Sequence, residues 1–248
     1  MSAPSRAILD LTGRLVIVLG AHGTLGAELV RRFESAGAVA VGADLREAPG
    51  ILGCDVTDES SVSHLFDTAE TYGDITDVVH AVGISSVSRV KELDLSEVRK
   101  LLEINLLSCF ITAKVVASRL SAGGTVTFIA SHAACHGSPG WSAYGASKAG
   151  LINLVESFAK EIGSTGIRVN AVSPGSVESP MMESILRTAA IQQGRQLDAV
   201  VREAELASPL GRFAIAKEVA DVCLFLASPL AAYITGTNIV VNGGERPG

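Results

Sequence analysis

The sequence lacks three features that would define particular classes of protein: paired cysteines, an excess of positive charge and a long uncharged apolar run. Its four cysteines are scattered without a Cys-x-x-Cys pair, which argues against a zinc site or a disulfide framework and favours a reduced, cytoplasmic chain. The formal net charge of −6 gives no electrostatic reason to expect nucleic acid or an anionic membrane as a partner. The cysteines are Cys54, Cys109, Cys135 and Cys223.

Neither a signal peptide nor a membrane-spanning segment is expected. The N-terminus, from Met1 to Arg6, leads into Ile8 and Leu9 without a long apolar run. Elsewhere, charged residues interrupt the apolar stretches well short of about 18 residues, which argues against an ordinary transmembrane helix. We therefore expect no membrane as a partner.

Short β-branched runs alternate with longer amphipathic stretches along the whole chain. This order predicts an α/β fold: a doubly wound, Rossmann-type parallel sheet of about seven strands with helices on both faces. No linker or repeat is visible, so residues 1–248 form one predicted domain. The predicted strands are Leu15–Leu19, Val39–Val41, Ile51–Leu52, Val78–Val79, Thr125–Ile129, Arg168–Val172 and Ile239–Val241. The predicted helices are Leu25–Phe33, Ser60–Tyr72, Leu93–Leu120, Tyr144–Ile162, Met181–Glu205 and Lys217–Leu226.

A glycine-rich segment, Gly20–Gly26 with the sequence GAHGTLG, joins the first strand to the first helix. Glycine suits this place because the turn is tight and the backbone must approach a pyrophosphate, which binds the free N–H groups of the helix N-terminus. A plain glycine-rich turn is the alternative. The position after the first strand of a parallel fold favours a dinucleotide site.

The second strand is followed by a carboxylate, Asp44. A carboxylate here accepts hydrogen bonds from the adenosine ribose hydroxyls, and it repels a 2′-phosphate by about 4 kcal/mol at about 4 Å and an effective dielectric near 20. Asp44 therefore favours NAD over NADP, although Arg46 could offset part of the repulsion; a solvated turn residue is the alternative. Asp55, after the third strand, could accept from the adenine amino group or cap the next helix.

Tyr144 and Lys148 lie four residues apart in a predicted helix, so their side chains share one face. A free tyrosine titrates near pH 10, and lowering its pKa by about 3 units requires about 4 kcal/mol. An ammonium about 4 Å away supplies energy of that order, and the helix N-terminus and a cationic nicotinamide act in the same direction. Ser131 lies 13 residues before Tyr144, at the end of the fifth strand, and completes a candidate proton-transfer site.

These residues resemble the catalytic tetrad of the short-chain dehydrogenase/reductase family, and the similarity runs from about Leu11 to Gly244. Several motifs occur in order along nearly the whole chain. The resemblance implies an NAD(P)-dependent oxidoreductase that transfers a hydride between nicotinamide and a small alcohol or ketone. The matching segments are Ser131, Asn105 within EINL, Tyr144–Lys148 (YGASK), Arg168–Gly175 (RVNAVSPG), Pro209–Phe213 (PLGRF) and Tyr233–Gly236 (YITG).

The resemblance implies a role for each matched residue. Tyr144 is the general acid/base, and Ser131 hydrogen-bonds the substrate oxygen. Lys148 lowers the tyrosine pKa and binds the nicotinamide ribose, while Asn105 holds a water in a proton relay. A locally bonded helix residue is the alternative for Asn105, and a plain strand-end serine is the alternative for Ser131. The predicted cofactor-binding residues are Gly20, His22, Gly23, Thr24, Leu25, Gly26, Asp44, Asp55, Val56, Ala81, Gly83, Tyr144, Lys148, Pro174, Gly175, Val177 and Ser179; Val177 and Ser179 would meet the nicotinamide carboxamide.

Two segments depart from the family's pattern. Thr24 stands where the single-domain branch usually has a glycine, which leaves the geometry of the loop open. His80-Ala81-Val82-Gly83 replaces Asn-Asn-Ala-Gly after the fourth strand. An imidazole donates or accepts a hydrogen bond as an amide does, so His80 can keep a structural role. No second ligand is spaced with His80, which argues against a metal site.

The sequence defines the substrate only as a secondary alcohol or ketone. The segment from about residue 180 to residue 208 lies where the family has its substrate lid. The candidate pocket residues are His132, Trp141, Met181 and Met182; core or interface packing is the alternative for the tryptophan and methionines. Two other functions stay open. Asp44 argues against an NADPH-dependent 3-oxoacyl thioester reductase, and the intact catalytic residues argue against a non-catalytic dinucleotide-sensing protein.

The long helices Leu93–Leu120 and Ser142–Ile162 carry more apolar residues than one face can bury in a monomer. The resembling family pairs these helices between subunits, and the strand Ile239–Val241 offers a second contact. We therefore expect a homotetramer with two-fold axes.

Overall fold

The computed structural model describes residues 9–245. Residues 1–8 and 246–248 lie outside this range. They include the Met1–Arg6 segment, for which no signal peptide is expected, and the last three residues of the predicted domain. Seven strands form one parallel sheet, which confirms the predicted fold class. The strands are β1 (Leu15–Leu19), β2 (Val39–Asp44), β3 (Ile51–Gly53), β4 (Asp77–His80), β5 (Thr125–Ile129), β6 (Arg168–Pro174) and β7 (Asn238–Val241). Their order is β3-β2-β1-β4-β5-β6-β7.

Helices cover both faces of the sheet because the strands are apolar on both sides; every residue of β1 and of β5 is buried. The helices are α1 (Thr24–Ser35), α2 (Glu59–Ala69), α3 (Leu95–Leu102), α4 (Ser108–Arg119), α5 (Ser142–Ile162), α6 (Pro180–Gln193), α7 (Leu197–Leu206) and α8 (Ala216–Ala227). Helices α2, α4 and α5 share one hydrophobic core with the sheet, and α1 and α8 share the other. The order of the strands reverses direction between β1 and β4, which is where such sheets bind ligands.

The helix predicted over Leu93–Leu120 is divided in the structure. It begins at Leu95, after Asp94 accepts a hydrogen bond from the Ser96 N–H, and a π-helical turn, Glu103–Leu107, separates α3 from α4. A π turn adds a residue to one turn of helix and often occurs at functional sites. The apolar spacing does not reveal it because the extra residue shifts the helical period only once.

The predicted helical insertion consists of two helices, α6 and α7, rather than one. Helix α6 ends at Gly194, whose φ of +61° lies in the left-handed region that favours glycine. The two helices enclose a small apolar cluster of Leu186, Ala190, Val200 and Phe213. This pair lies beyond β6, in the predicted lid position.

The stretch Leu95–Arg119 has 25 residues, and its most apolar window of 18 residues has a mean hydropathy of 1.6, so by length and composition it could cross a membrane. The expectation that charges would prevent any such stretch is therefore wrong here. In the folded chain 44% of its most apolar window is buried, and Cys109, Ala113 and Val116 pack in the core of the sheet. These contacts are those of a core helix.

A buried polar cluster joins three strands at the amino edge of the sheet. Asp77, the first residue of β4, is fully buried and accepts two hydrogen bonds from the Arg14 guanidinium, at 2.5 and 2.6 Å. The Thr76 hydroxyl donates to the same carboxylate at 2.8 Å, and the Thr125 hydroxyl also donates to it. The carboxylate thus links the starts of β4 and β5 to Arg14, the residue before β1, on the side opposite the candidate site.

Candidate active site

The structure brings Ser131, Tyr144 and Lys148 together at the carboxyl edge of the sheet. Ser131 follows the end of β5, Tyr144 stands in the first turn of α5 and Lys148 lies one turn later. The Ser131 hydroxyl lies beside the Tyr144 phenol, where it acts to lower the phenol's pKa. Ser131 also accepts a hydrogen bond from the Ala133 N–H at 3.2 Å, so it closes the turn after β5 as well as facing the tyrosine.

The ionisation of Tyr144 in the protein alone differs from the prediction. Burial raises the pKa of Tyr144, and the neighbouring Ser131 hydroxyl only partly opposes this. Lys148 is buried, which lowers its own pKa, and its ammonium donates to the Ile129 carbonyl at 2.8 Å. The expected lowering of the tyrosine pKa by Lys148 is therefore not seen, because this ammonium is directed at the end of β5.

Asn105 lies in the π turn and is fully buried. Its amide oxygen accepts from the Ile84 N–H at 2.8 Å, and its amide nitrogen donates to the Ile84 carbonyl at 2.9 Å and to the Ser147 hydroxyl at 3.2 Å. Ser147 donates to the Tyr144 carbonyl at 2.7 Å. These bonds join distant parts of the chain, so the alternative of a locally bonded helix residue is wrong.

Ser147 and Ile84 were not among the residues singled out from the sequence. The signal for Ser147 was its place inside YGASK, whereas the contact of Ile84 is made by its backbone and leaves no sequence signal. Gly83 supports the same network because a Cβ there would lie 3.2 Å from Lys148 Nζ and 3.4 Å from Asn105 Oδ1. A Cβ at this position would therefore press on the Lys148 ammonium and only touch the Asn105 amide.

The glycine-rich loop fits a dinucleotide pyrophosphate. A Cβ at Gly26 would lie 2.0 Å from the Gly20 carbonyl oxygen, so only glycine permits this contact between helix and turn. Among the residues the structure describes, no side chain caps α1 at Gly23, which leaves the first N–H groups for an anion. Thr24 is the first residue of α1, with an ordinary negative φ, so its replacement of glycine is compatible with this geometry.

Asp44 is held beside the glycine loop at the end of β2. Its carboxylate accepts from the His22 N–H at 3.0 Å and from the Leu45 N–H at 2.8 Å. The His22 ring nitrogen Nδ1 lies 3.6 Å from the same carboxylate, which is 23% exposed. Asp44 is therefore anchored rather than a freely solvated turn residue, and its position suits a ribose.

Asp55 forms a local turn: it accepts from the Thr57 N–H at 2.9 Å and from the Thr57 hydroxyl at 2.7 Å. Asp58, not Asp55, caps α2 by accepting from the Ser60 N–H at 2.9 Å. The alternative of a helix cap is thus wrong for Asp55.

The other predicted cofactor residues lie at the same edge of the sheet. Gly175 follows β6 and donates its N–H to the Val241 carbonyl at 2.9 Å. Ser179 caps α6 by accepting from the Met182 N–H, and its hydroxyl donates to the Val177 carbonyl, both at 3.2 Å. Leu25 lies in the first turn of α1, Val56 follows β3, Ala81 follows β4 and Pro174 ends β6.

The candidate substrate residues have different surroundings. Trp141 contacts Tyr144 edge-to-face with ring centroids 5.4 Å apart. His132 contacts the Pro174 carbonyl at 3.3 Å and lies 3.7 Å from the carboxylate of Glu245, a residue that sequence reasoning missed. Of the methionines, Met181 is 46% exposed and Met182 packs against the cluster between α6 and α7.

In the part of the chain that the structure describes, the four cysteines form no disulfide, and no group of three His, Cys, Asp or Glu side chains is placed to hold a metal ion. Cys54, Cys109 and Cys223 are buried, and burial raises the pKa of the first two thiols to about 11 and of the third to about 12. These thiols are therefore protonated and unreactive near neutral pH.

Comparison with known proteins yields matches along nearly the whole chain. A family model described as enoyl-(acyl carrier protein) reductase matches residues 20–245. An uncharacterized short-chain type dehydrogenase/reductase of Sinorhizobium fredii is 35% identical over 94% of this chain, which spans only 43% of that relative's length. A 3-oxoacyl-[acyl-carrier-protein] reductase of Thermotoga maritima is 32% identical over 95% of this chain and 99% of its own.

Solved structures have the same architecture. Sorbitol-6-phosphate 2-dehydrogenase from Erwinia amylovora superposes with a TM-score of 0.88, at 29% identity, over 94% of this chain and 100% of its own. The likeness thus extends to the whole sheet and both helical layers.

Proposed function

Because this chain belongs to the short-chain dehydrogenase/reductase family, a family of oxidoreductases, we propose that it transfers a hydride between NAD and a secondary alcohol or ketone. The observation that carries the proposal is the buried Tyr144 phenol at the start of α5, beside Ser131 at the end of β5. It lies one helical turn from a fully buried lysine, Lys148. A protein that only senses a dinucleotide has no need of this proton-transfer pair.

The chain's own residues have distinct parts in the proposed reaction. A bound nicotinamide would supply the hydride acceptor for oxidation of the carbinol carbon and the hydride donor for reduction of the carbonyl. Ser131 hydrogen-bonds the substrate oxygen, and Tyr144 receives the hydroxyl proton during oxidation and donates it during reduction. Asn105 and Ser147 hold the Tyr144 helix against the loop after β4, which keeps the phenol in place.

The proposed cofactor site uses the glycine loop, Asp44 and Lys148. The first-turn N–H groups of α1 would hold the pyrophosphate, and Asp44 would accept from the adenosine ribose hydroxyls. Lys148 would bind the nicotinamide ribose. The 3-oxoacyl reductase relative keeps a second candidate open, an NADPH-dependent reductase of 3-oxoacyl thioesters, against which the anchored carboxylate of Asp44 argues.

A turnover assay tests this function. We expect the purified protein to oxidise at least one member of a panel of secondary alcohols, with kcat/KM at least about tenfold higher for NAD than for NADP, because Asp44 repels a 2′-phosphate. Asp44→Ser should narrow that preference while leaving kcat with NAD nearly unchanged. A preference for NADP, or faster reduction of a 3-oxoacyl thioester with NADPH, contradicts the proposal.

We further propose a homotetramer, in the cytoplasm. Leu102, Leu107 and Phe110 are 36–48% exposed along the α3–α4 stretch, and Tyr233, just before β7, is fully exposed. Pairing of these surfaces between subunits would remove these apolar side chains from water. Light scattering should give four times the chain mass at micromolar concentration. Phe110→Asp should lower this mass, because it places a charge in the proposed interface. A wild-type monomer at that concentration excludes the assembly.

A further inference from the structure

His80, the last residue of β4, stands at the centre of a buried polar cluster outside the predicted site. Its side chain is 1% exposed, and it contacts two fully buried hydroxyl groups of α4. Nδ1 lies 3.0 Å from Thr112 Oγ1, and Nε2 lies 3.3 Å from Ser108 Oγ. The ring also packs against Phe128 of β5, with centroids 5.8 Å apart. The structure thus gives His80 a buried hydrogen-bonding role, as its place in the sequence suggested.

The protonation state of this imidazole follows from its surroundings. Burial, with the nearby positive charge of Lys148, lowers the pKa of His80 to about 3. The ring is therefore neutral near pH 7 and carries a single N–H. In this state one ring nitrogen donates a hydrogen bond and the other accepts one.

The Ser108 hydroxyl determines which nitrogen carries the proton. It donates to the Ile104 carbonyl at 2.6 Å, so towards His80 its oxygen can only accept. Nε2 therefore carries the proton and donates to Ser108, while Nδ1 accepts from the Thr112 hydroxyl. The hydrogen bonds run in one direction, from Thr112 through His80 and Ser108 to the Ile104 carbonyl.

This chain of hydrogen bonds ends inside the π turn, next to Asn105. Ile104 precedes Asn105 directly, and the bond from Ser108 to Ile104 is a side-chain bond back to the fourth preceding carbonyl, which bends helices. The Cys109 thiol also contacts the Asn105 carbonyl, at 3.4 Å. The first turn of α4 therefore fixes the backbone on which Asn105 stands.

We propose that His80 is a positioning residue: through Ser108 it stabilises the π turn and so holds the Asn105 amide against Ile84 and Ser147. For its effect on turnover the inference rests on the proposed function; for its effect on Asn105 it rests on these contacts alone. A histidine that merely filled space under α4 would affect folding but not Asn105.

Three variants separate positioning from simple packing. Ser108→Ala removes the link to Ile104, and His80→Leu removes the donor to Ser108. Thr112→Val is the matched control: it removes an equally buried hydrogen bond at the far end of the chain of hydrogen bonds and leaves the His80–Ser108–Ile104 bonds in place. The reporter is amide hydrogen exchange at Ile84, whose N–H donates to Asn105. It is measured in the protein without cofactor, together with the melting temperature, kcat and KM.

We expect all three variants to melt at lower temperature. Only Ser108→Ala and His80→Leu should speed exchange at Ile84, by about tenfold or more, and lower kcat by about tenfold with little change in KM, since a small displacement of a catalytic group costs rate. If exchange at Ile84 is unchanged in both, or rises equally in Thr112→Val, the positioning role is wrong. If exchange responds as expected but the wild type oxidises no alcohol, the proposed function fails and the positioning role stands.

Discussion

Tyr144→Phe should lower alcohol turnover by about 100-fold or more, the usual size of a general acid–base contribution, while the protein still folds and binds NAD. The substitution keeps the ring that contacts Trp141 and removes only the oxygen that faces Ser131. Steady-state kinetics gives the loss of kcat, and fluorescence titration gives the affinity for NAD. If Tyr144→Phe retains near-normal turnover, the proton travels by another route and the central assignment is wrong.

Two further variants serve as controls for this assignment. Ser131→Ala should lower mainly kcat, because the phenol remains while the substrate oxygen loses a partner. Lys148→Met should reduce both the affinity for the cofactor and kcat, because the proposed contact with the nicotinamide ribose both binds the cofactor and orients it at the reacting carbon. Equal losses of NAD affinity in all three variants would indicate a disrupted fold rather than lost chemistry.

The pH dependence of turnover follows from the phenolate being the base in oxidation. Since burial raises the pKa of Tyr144, its protonated form is favoured in the protein alone, and phenolate formation should require a more alkaline pH than for a free tyrosine. Binding of NAD brings a positive ring close to the phenol, so kcat for oxidation should rise with pH through a single ionisation below the tyrosine reference pKa of about 10. The pKa of Tyr144 without and with NAD is measured from the pH dependence of the difference in phenolate absorbance between wild type and Tyr144→Phe.

Arg14→Met should lower the free energy of unfolding by about 3–5 kcal/mol, because it leaves the buried Asp77 carboxylate without its cation. The remaining donors, the Thr76 and Thr125 hydroxyls, carry no charge. Urea unfolding monitored by circular dichroism measures the change, which should appear in the midpoint with the m-value unchanged.

A matched control for this variant is Arg187→Met. Arg187 forms an ion pair with Glu183 in which both side chains are 59% exposed, so its loss should cost no more than about 1 kcal/mol. If the two variants lose similar free energies of unfolding, burial of the Asp77 carboxylate does not make its ion pair more important for stability than an exposed one. Activity of the folded Arg14→Met protein should be unchanged, because the cluster lies at the opposite edge of the sheet.

Local sequence determined most of the secondary structure. The apolar runs of β1 and β5 predicted these strands to the residue, because a strand buried on both faces needs continuous apolar side chains. The alternation of strands and helices predicted the parallel sheet and therefore the edge at which to look for the site. The spacing of Tyr144 and Lys148 placed both residues on one face of α5, because helical neighbours are set by the backbone period.

Tertiary structure decided what depends on residues distant in the chain. The sequence placed Lys148 beside Tyr144, but the direction of its ammonium depends on the end of β5, where the Ile129 carbonyl accepts its hydrogen bond. The pKa of Tyr144 likewise depends on tertiary structure. Its spacing from Lys148 in the helix predicted a lowered pKa, whereas burial of the phenol raises it.

The π turn and the contacts of His80 also depend on tertiary structure and could not be predicted from the sequence. One extra residue in a turn does not disturb an apolar pattern enough to be seen, so the sequence predicted a continuous helix through Asn105. His80 was visible as a departure from the family's pattern, but its partners on α4 were not, because they are 28 and 32 residues away. Sequence determined the elements and the chemistry they carry; packing between distant elements determined which groups touch, how they are charged and where the catalytic helix bends.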